Sequence, residues 1–193
     1  MTPGRFAAGG AGEQIGFTIA HSEFGWLIVG ATERGLCWLA LAETEAAAEA
    51  TLRAEFPAAT LQRDESLAHF VDGALAEVTG QIASVPSNAP PAQLAPPQVA
   101  QVLDLRGTAF QLRVWQALRG IPRGETRTYS QLARDMGDPK STRAVARACA
   151  LNRVSMVVPC HRVVGVSGAL TGYRWGVERK KKLLEAEALA APH

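Results

Sequence analysis

The segment Ser84–Pro97, SVPSNAPPAQLAPP, most constrains how this chain folds, because it holds five prolines in 14 residues. Proline lacks a backbone N–H and disfavours helical geometry in the residue before it, so the segment forms neither a helix nor a paired strand. A chain of 193 residues is long enough for two small domains. We therefore expect an N-terminal domain at 1–83, a proline-rich linker at 84–104 and a C-terminal domain at 105–193.

The N-terminal domain is predicted to combine a small sheet with helices. Three apolar, β-branched runs separated by glycine-containing turns are typical of an antiparallel meander: QIGFTIA, GWLIVGAT and GLCWLAL. A stretch rich in Ala and Glu predicts a helix from Glu43 to Phe56. After a cap candidate at Asp64 or Ser66, a second helix is expected, with one apolar face formed by Leu67, Phe70, Val71, Ala74 and Val78.

The C-terminal domain is predicted to be mainly helical. Thr108 can cap a helix that ends at Gly120 and has an apolar face formed by Phe110, Val114, Trp115 and Leu118. Two short helices follow, at Ser130–Met136 and Ser141–Leu151, and the sequence GDPK separates them. Two short helices with a tight, glycine-containing break indicate a helix-turn-helix. The whole chain is therefore of the α+β class.

Charge is distributed unevenly along the chain. Residues 1–106 carry 5 Lys/Arg and 12 Asp/Glu, a balance of −7, whereas residues 107–193 carry 15 and 6, a balance of +9. Such asymmetry indicates that the C-terminal part binds a polyanion, with nucleic acid favoured over simple attraction between the two parts. The second short helix is small and basic at Arg143, Ala144 and Arg147, so it can approach a groove closely and contact phosphates.

Other classes of protein are disfavoured by the composition. No apolar run reaches membrane-spanning length, and the first residues lack the apolar core of a signal peptide, so we expect a cytoplasmic protein without a membrane partner. The three cysteines show no CxxC spacing, which argues against a disulfide framework and a four-thiolate zinc site. Cys37 and Cys149 lie in apolar stretches and are expected to be small buried hydrophobes.

Cys160, His161 and Arg162 follow the run VSMVVP, which predicts a buried strand ending at Pro159. A cysteine reacts as its thiolate, so it needs a base or a positive charge, and His161 or Arg162 could supply one. A third group should orient the histidine, and the acidic candidates on the last helix are Glu178, Glu185 and Glu187. From these residues alone, a nucleophile, a metal site and a buried thiol beside a surface histidine all stay open.

The motif VPCHRVVG resembles the active-site motif of the O6-alkylguanine-DNA alkyltransferases, the methylated-DNA–protein-cysteine methyltransferases. The resemblance to the bacterial members covers about Leu105 to Glu187 and includes RGTAFQLRVWQALRGIPRGETRTYSQLA, STRAVARACALN and GYRWGVERKKKLLEAE. The N-terminal part is similar only in outline, at ATERGLCWLAL. The resemblance implies a ribonuclease H-like N-terminal domain and a winged-helix C-terminal domain carrying the helix-turn-helix.

The family's catalytic roles carry over onto five positions. The resemblance implies that Cys160 is the alkyl acceptor, that His161 deprotonates it through a bound water, and that Glu187 orients His161. Asn152 would tie the active-site turn to the helix-turn-helix. Tyr129 would lie against the phosphate backbone, help to turn the nucleotide out and donate a proton to the leaving guanine.

The resemblance also implies a DNA surface and a base pocket. Arg143 would fill the gap left in the base stack, and the helix that carries it would enter the minor groove. The pocket would be lined by Met156, Val163, Tyr173 and Arg174. Arg174 replaces a small residue of some relatives, and the proline-rich tether is longer than expected for the family. No cofactor is implied, and no zinc ligands match, since Cys37 and His21 alone would not suffice.

The expected activity is irreversible transfer of the alkyl group of O6-methylguanine, and also of O4-methylthymine, from double-stranded DNA to Cys160. The protein would act once, as a monomer without an obligate protein partner. Three alternatives are a non-enzymatic sensor of alkylated DNA, a Cys-His-Glu hydrolase and a helix-turn-helix regulator that uses Cys160 as a redox sensor. The presence of the cysteine argues against the first, and the basic, helix-turn-helix half has no purpose in the second.

Overall fold

The computed structural model describes residues 8–80 and 103–190, so most of the predicted linker, including 84–97, lies outside the described residues. These residues form two compact units, one of 8–77 with 103–106 and one of 78–80 with 107–190. No helix within the two described stretches is long and apolar enough to cross a bilayer.

A four-stranded sheet forms the core of the first unit. Strands β1 (Gln14–Ser22), β2 (Gly25–Thr32) and β3 (Gly35–Ala42) form the predicted antiparallel meander. The positive φ angles of Gly25 and Gly35, 108° and 131°, allow the chain to reverse between the strands. The sequence did not predict strand β4 (Thr60–Arg63), which pairs in parallel with β1 at the sheet edge and is mostly exposed.

Two helices complete this unit close to the predicted positions. Helix α1 spans Glu45–Glu55, and Thr44 caps it by accepting a hydrogen bond from the Ala47 N–H. Asp64 caps a single 3₁₀ turn, Glu65–Leu67, which leads into α2 (Ala68–Thr79). The expected apolar face of α2 is buried apart from Leu67, which is half-buried.

The second unit contains the predicted helices and a short parallel strand pair. Its elements are α3 (Ala109–Arg119), β5 (Arg127–Thr128), α4 (Tyr129–Asp135), a 3₁₀ turn (Pro139–Ser141), α5 (Thr142–Ala150), a 3₁₀ turn (Cys160–Arg162), β6 (Val163–Val164) and α6 (Val177–Leu189). Thr108 and Thr128 each form a capping box with the glutamine three residues later. Gly137, with φ 77°, makes the break between α4 and α5.

The segment 154–159 is not the strand that its apolar, β-branched residues predict. It forms a buried turn, in which Met156 has a φ of 67° and Val157 donates its N–H to the Ser155 carbonyl at 2.7 Å. The strand of this region is β6, which follows Arg162 and pairs with β5. The apolar character reflects burial, and burial does not by itself distinguish a strand from a turn.

Candidate active site

A tight 3₁₀ turn presents Cys160. The Cys160 N–H donates to the Val158 carbonyl at 2.8 Å, and the Arg162 N–H donates to the Pro159 carbonyl at 3.0 Å. Cys160 keeps 5% of its surface exposed, whereas His161 keeps none. The turn replaces the extended backbone expected from the sequence, so the neighbouring Cys160 and His161 need not point to opposite sides.

Asn152 ties this turn to the end of helix α5. Its side-chain amide Nδ2 donates to the Val158 carbonyl at 2.7 Å and to the Cys160 Sγ at 3.2 Å, while its Oδ1 accepts from the Val154 N–H at 3.0 Å. Its backbone N–H donates to the Cys149 carbonyl at 3.1 Å. Asn152 is fully buried, so each of these bonds is shielded from water.

His161 and Glu187 form a buried pair that fixes the histidine tautomer. Nε2 of His161 lies 2.8 Å from Oε1 of Glu187, and both side chains are fully buried. Burial raises the pKa of Glu187, but the hydrogen bonds from His161 and Arg162 outweigh it and hold that pKa at about 2. An ionised carboxylate only accepts, so Nε2 carries the proton and Nδ1 keeps its lone pair. Among the described residues, Nδ1 has no hydrogen-bond partner.

Arg162 holds the same carboxylate from the other side. Its Nε donates to Oε2 of Glu187 at 2.9 Å, its Nη2 donates to Oε1 at 2.8 Å, and its Nη1 donates to the Ile121 carbonyl at 2.7 Å. The sequence indicates Arg162 as a candidate positive charge for the thiol. The structure directs its guanidinium to Glu187, which makes it a support for the His161–Glu187 pair.

The ionisation of the site favours a thiol beside a neutral histidine. Burial raises the pKa of Cys160 to about 11, although the hydrogen bond from Asn152 and the charge of Lys180 act in the opposite direction. Burial lowers the pKa of His161, against the opposing effect of Glu187. At neutral pH the site therefore holds a protonated thiol and an uncharged imidazole that can accept its proton.

Lys180 is a site residue that the sequence alone did not indicate. It lies in the run RKKK, which resembles a solvated charged face, yet it is fully buried. Its spacing from Leu183 and Glu187 was the available signal, since residues three and seven positions apart share one face of a helix. Its Nζ donates to the Val163 carbonyl at 2.5 Å and to the Thr171 carbonyl at 3.3 Å.

The residues expected to line a base pocket lie around this turn. Met156 and Val163 are buried, whereas Tyr173 is half-buried and Arg174 is exposed. The Tyr173 hydroxyl lies 2.6 Å from the Ser155 hydroxyl, and its ring packs edge-on against Trp175 at 5.4 Å. The Arg174 guanidinium lies 5.8 Å from the centre of the Trp175 ring. Ser155 was not singled out from the sequence.

The residues expected to contact DNA are accessible. Arg143, Ala144 and Arg147 are exposed on α5. Tyr129, the first residue of α4, is half-buried, and its hydroxyl donates to the Thr171 carbonyl at 3.3 Å. Burial, with smaller effects from Cys149 and Cys160, raises the pKa of Tyr129 to about 12, so its phenol is a proton donor at neutral pH.

The other cysteines are buried thiols, as predicted from their apolar surroundings. Cys37 and Cys149 are free, with 5% and 6% of their surface exposed, and burial raises the pKa of each. Within residues 8–80 and 103–190, no three His, Cys, Asp or Glu side chains gather in a way that could hold a metal ion. The site described above therefore consists of hydrogen-bonded side chains around one thiol.

The chain is similar to known proteins in sequence and in structure. The family described as "6-O-methylguanine DNA methyltransferase, DNA binding domain" matches residues 109–189. The Escherichia coli protein "Bifunctional transcriptional activator/DNA repair enzyme Ada" is 43% identical over 194 residues, 97% of this chain and 49% of that protein. The "Methylated-DNA--protein-cysteine methyltransferase" of Mycobacterium bovis is 56% identical over 90 residues, 47% of this chain and 54% of that protein. This chain thus spans about half the length of these curated relatives.

Solved structures extend the likeness to both units. The crystal structure of Mycobacterium tuberculosis OGT in complex with DNA matches with a TM-score of 0.69 at 35% identity, covering 92% of this chain and 95% of that one. The crystal structure of Mycobacterium tuberculosis O6-methylguanine methyltransferase matches with a TM-score of 0.70 at the same identity and coverage. With the family match spanning the Cys160 turn, these likenesses show that the chain belongs to the O6-methylguanine-DNA methyltransferase family.

Proposed function

We propose that this protein repairs double-stranded DNA by moving the alkyl group of O6-alkylguanine, and also of O4-methylthymine, to the sulfur of Cys160. The observation that carries the proposal is the arrangement around the thiol. Cys160 Sγ accepts from Asn152 at 3.2 Å, and the next residue is a neutral histidine whose Nε2 is held 2.8 Å from Glu187. Such a group of nucleophile, base and orienting carboxylate suits displacement at carbon.

Activation of the thiol is the first step. The Nδ1 lone pair of His161 accepts the Cys160 proton through a bridging water, and the ionised Glu187 stabilises the imidazolium that forms. Arg162 keeps the carboxylate ionised and in place. Forming the thiolate only when the substrate is bound suits a sulfur whose resting pKa is about 11.

Transfer then proceeds with one bond formed and one broken. The Cys160 sulfur attacks the alkyl carbon, the carbon–O6 bond breaks, and its electron pair passes to the guanine. Tyr129 donates a proton to the guanine ring, and the protonated His161 returns one to Tyr129. In net terms, the guanine gains the proton that the Cys160 thiol loses. The product is a thioether, which water does not cleave, so each molecule acts once.

DNA is bound through α5 and the residues near it. The alkyl carbon is not accessible inside a duplex, so the nucleotide must leave the stack, at a cost of a few kcal/mol. Arg143 fills the gap, Ala144 allows close approach to the minor groove, and Arg147 contacts phosphate. The extruded base lies against Met156, Val163, Tyr173 and Arg174. The family match to a DNA-binding domain supports this assignment.

The proposed setting is the cytoplasm, with the protein acting as a monomer and without an obligate protein partner. A reducing compartment keeps Cys160 available as a thiol, consistent with the three free cysteines. We propose two domains, at 1–83 and 105–193, joined by a linker at 84–104. The C-terminal domain would bind DNA and carry the reaction, and the N-terminal domain would support it, since the residues assigned to DNA binding and catalysis all lie after the linker.

Intact-mass measurement tests the proposal. Incubation with a duplex containing O6-methylguanine should add about 14 Da, one methyl replacing one hydrogen, to one residue per molecule, and peptide mapping should place it on Cys160. Cys160→Ser should give no product, and Cys149→Ser, which changes another buried thiol, should react normally. His161→Ala should react slowly.

Each alternative function predicts a different outcome. A sensor would bind the methylated duplex without gaining mass, and a Cys-His-Glu hydrolase would turn over esters or amides without DNA. A redox regulator would bind a specific sequence in an oxidant-dependent way. Repair of a large molar excess of lesions by a small amount of protein would contradict the single-use mechanism.

A further inference from the structure

Lys180 is a buried cation for which the activation scheme above has no use. It lies on α6, its surface is 0% exposed, and its Nζ donates to the carbonyls of Val163 and Thr171. Val163 ends the turn that carries the nucleophile, because its own N–H donates to the Cys160 carbonyl. The lysine therefore binds the backbone of the Cys160 turn directly.

No carboxylate balances this charge within the described residues. The ion pairs of α6 there are those of Glu187 with His161 and Arg162, and of Lys181 with Glu185. A buried ammonium bound by neutral carbonyls is costly, and among the described residues two of its three N–H donors have carbonyl partners. Such a site gains stability from an anion that forms nearby.

Cys160, on the turn that the lysine binds, can supply that anion. Burial lowers the pKa of Lys180, and ionisation of Cys160 and of Cys149 raises it. In return, Lys180 lowers the pKa of Cys160. The other titratable or charged groups around the sulfur are Tyr129 on α4, Cys149 on α5, Tyr173 and Arg174 in the loop before α6, and His161, Arg162 and Glu187.

We propose that Lys180 is a positioning residue whose ammonium serves as the counter-ion of the Cys160 thiolate and anchors the turn that carries it. The assignment of a reacting thiolate rests on the proposed function. Once His161 has taken the thiol proton, the negative sulfur lies on a turn whose end, the Val163 carbonyl, binds this ammonium directly. That arrangement favours the thiolate, because no carboxylate among residues 8–80 and 103–190 competes for the ammonium.

Two substitutions separate the charge from the hydrogen bonds. Lys180→Met keeps an apolar stem and removes both, whereas Lys180→Gln keeps an N–H donor for the carbonyls and removes the charge. The matched control is Lys182→Met, an exposed lysine on the same helix. The measurement is the rate of iodoacetamide labelling of Cys160 against pH in the full chain, read by peptide mass, with circular dichroism as the check on folding.

The expected result is a higher apparent pKa of Cys160 in both Lys180 variants. A nearby opposite charge shifts a pKa by about one unit or more, so labelling at neutral pH should slow about tenfold. Lys182→Met should match the wild type. A folded Lys180→Gln protein with an unchanged pH profile would overturn the proposal, because the hydrogen bonds alone would then account for the lysine.

A reciprocal measurement keeps the proposal testable if neither Lys180 variant folds. In protein labelled with ¹³C at lysine Cε, the shift of Lys180 is followed against pH in the wild type and in Cys160→Ser. Where the thiol and the ammonium titrate over the same pH range, their pairing raises the apparent pKa of Lys180, so that pKa should be lower in Cys160→Ser. An identical titration in both proteins contradicts the pairing.

These readouts need no DNA, so they are independent of the repair proposal. If the protein accepts no methyl group from DNA but its Cys160 labelling still depends on Lys180, the proposed function is wrong and the counter-ion role of Lys180 is supported. If methyl transfer is normal but labelling does not depend on Lys180, the proposed function is supported and the counter-ion role is wrong.

Discussion

At the scale of single residues, the site depends on one carboxylate that accepts hydrogen bonds from three residues. Glu187 accepts from His161, from Arg162 and, at 3.3 Å, from the Gly124 N–H. It is fully buried, so water cannot replace any of these partners. Orientation of the base and stability of the unit therefore depend on the same side chain.

Glu187→Gln should lower both the stability of the protein and the rate of methyl transfer. The amide leaves the buried Arg162 charge without its counter-ion, which costs about 3–5 kcal/mol of unfolding free energy. Methyl transfer should slow as well, because His161 loses the negative charge that stabilises its protonated form. Denaturant unfolding and single-turnover kinetics measure the two effects. Glu185→Gln, an exposed carboxylate on the same helix, should change stability by less than about 0.5 kcal/mol.

Acid should destabilise the protein through the same pair. Burial lowers the pKa of His161 below 6.5, so its contribution is present above pH 6.5 and decreases as the unfolded histidine becomes protonated. Glu187, with a pKa of about 2 against the usual 4.5, contributes stability above pH 4.5 that is lost toward pH 2. Thermal midpoints measured from pH 8 to 3 should fall, and the loss below pH 4.5 should be smaller in Glu187→Gln.

At the scale of elements, local signals located the helices and failed at residues 154–159, the segment before Cys160. The predicted cap at Thr108, and the caps at Thr44 and Thr128 that were not predicted, satisfy orphan N–H groups within two residues of the predicted helix starts. Capping is a local signal because it involves only residues a few positions apart. The segment 154–159 has the composition of a strand and forms a turn, whose carbonyl at Val158 is held by Asn152. A long-range hydrogen bond of this kind leaves no local pattern.

The cap of α4 gives a prediction that links stability to the site. Thr128→Ala should cost about 1 kcal/mol of unfolding free energy, since it removes the bond from the Gln131 N–H at 3.1 Å. Thr128→Ser should cost much less, because the hydroxyl remains. Tyr129 is the next residue, so the alanine variant should also transfer methyl more slowly. A cost equal in both variants would show that the methyl group of Thr128, not its hydroxyl, matters.

The whole molecule concentrates positive charge where the proposed chemistry lies. Residues 107–193 carry a balance of +9, against −7 for residues 1–106. A surface of this kind attracts the phosphate backbone without regard to base sequence. In the proposed function, this charge brings the protein to DNA, and a few side chains of α5 and the pocket then select the lesion.

The salt dependence of DNA binding tests whether this positive charge contacts phosphates. The logarithm of DNA affinity should fall linearly with that of salt concentration, by about 0.9 for each phosphate contact. Arg147→Ala should reduce that slope by about 1 and weaken binding to all sequences similarly. Arg53→Ala, an exposed arginine on α1, should leave the slope unchanged. Fluorescence anisotropy with undamaged duplexes of two sequences measures both quantities.

By itself, the sequence determined the α+β class, the three-strand meander and the approximate positions of the helices, because periodicity and capping act over neighbouring residues, and a short motif indicated Cys160 as the proposed nucleophile. Tertiary structure alone decided that β4 joins β1, that residues 154–159 turn, that Arg162 supports Glu187, and that Lys180 is buried. Those contacts join residues far apart in the chain. Burial, which a side chain's own chemistry does not reveal, favours the neutral forms of Cys160 and His161.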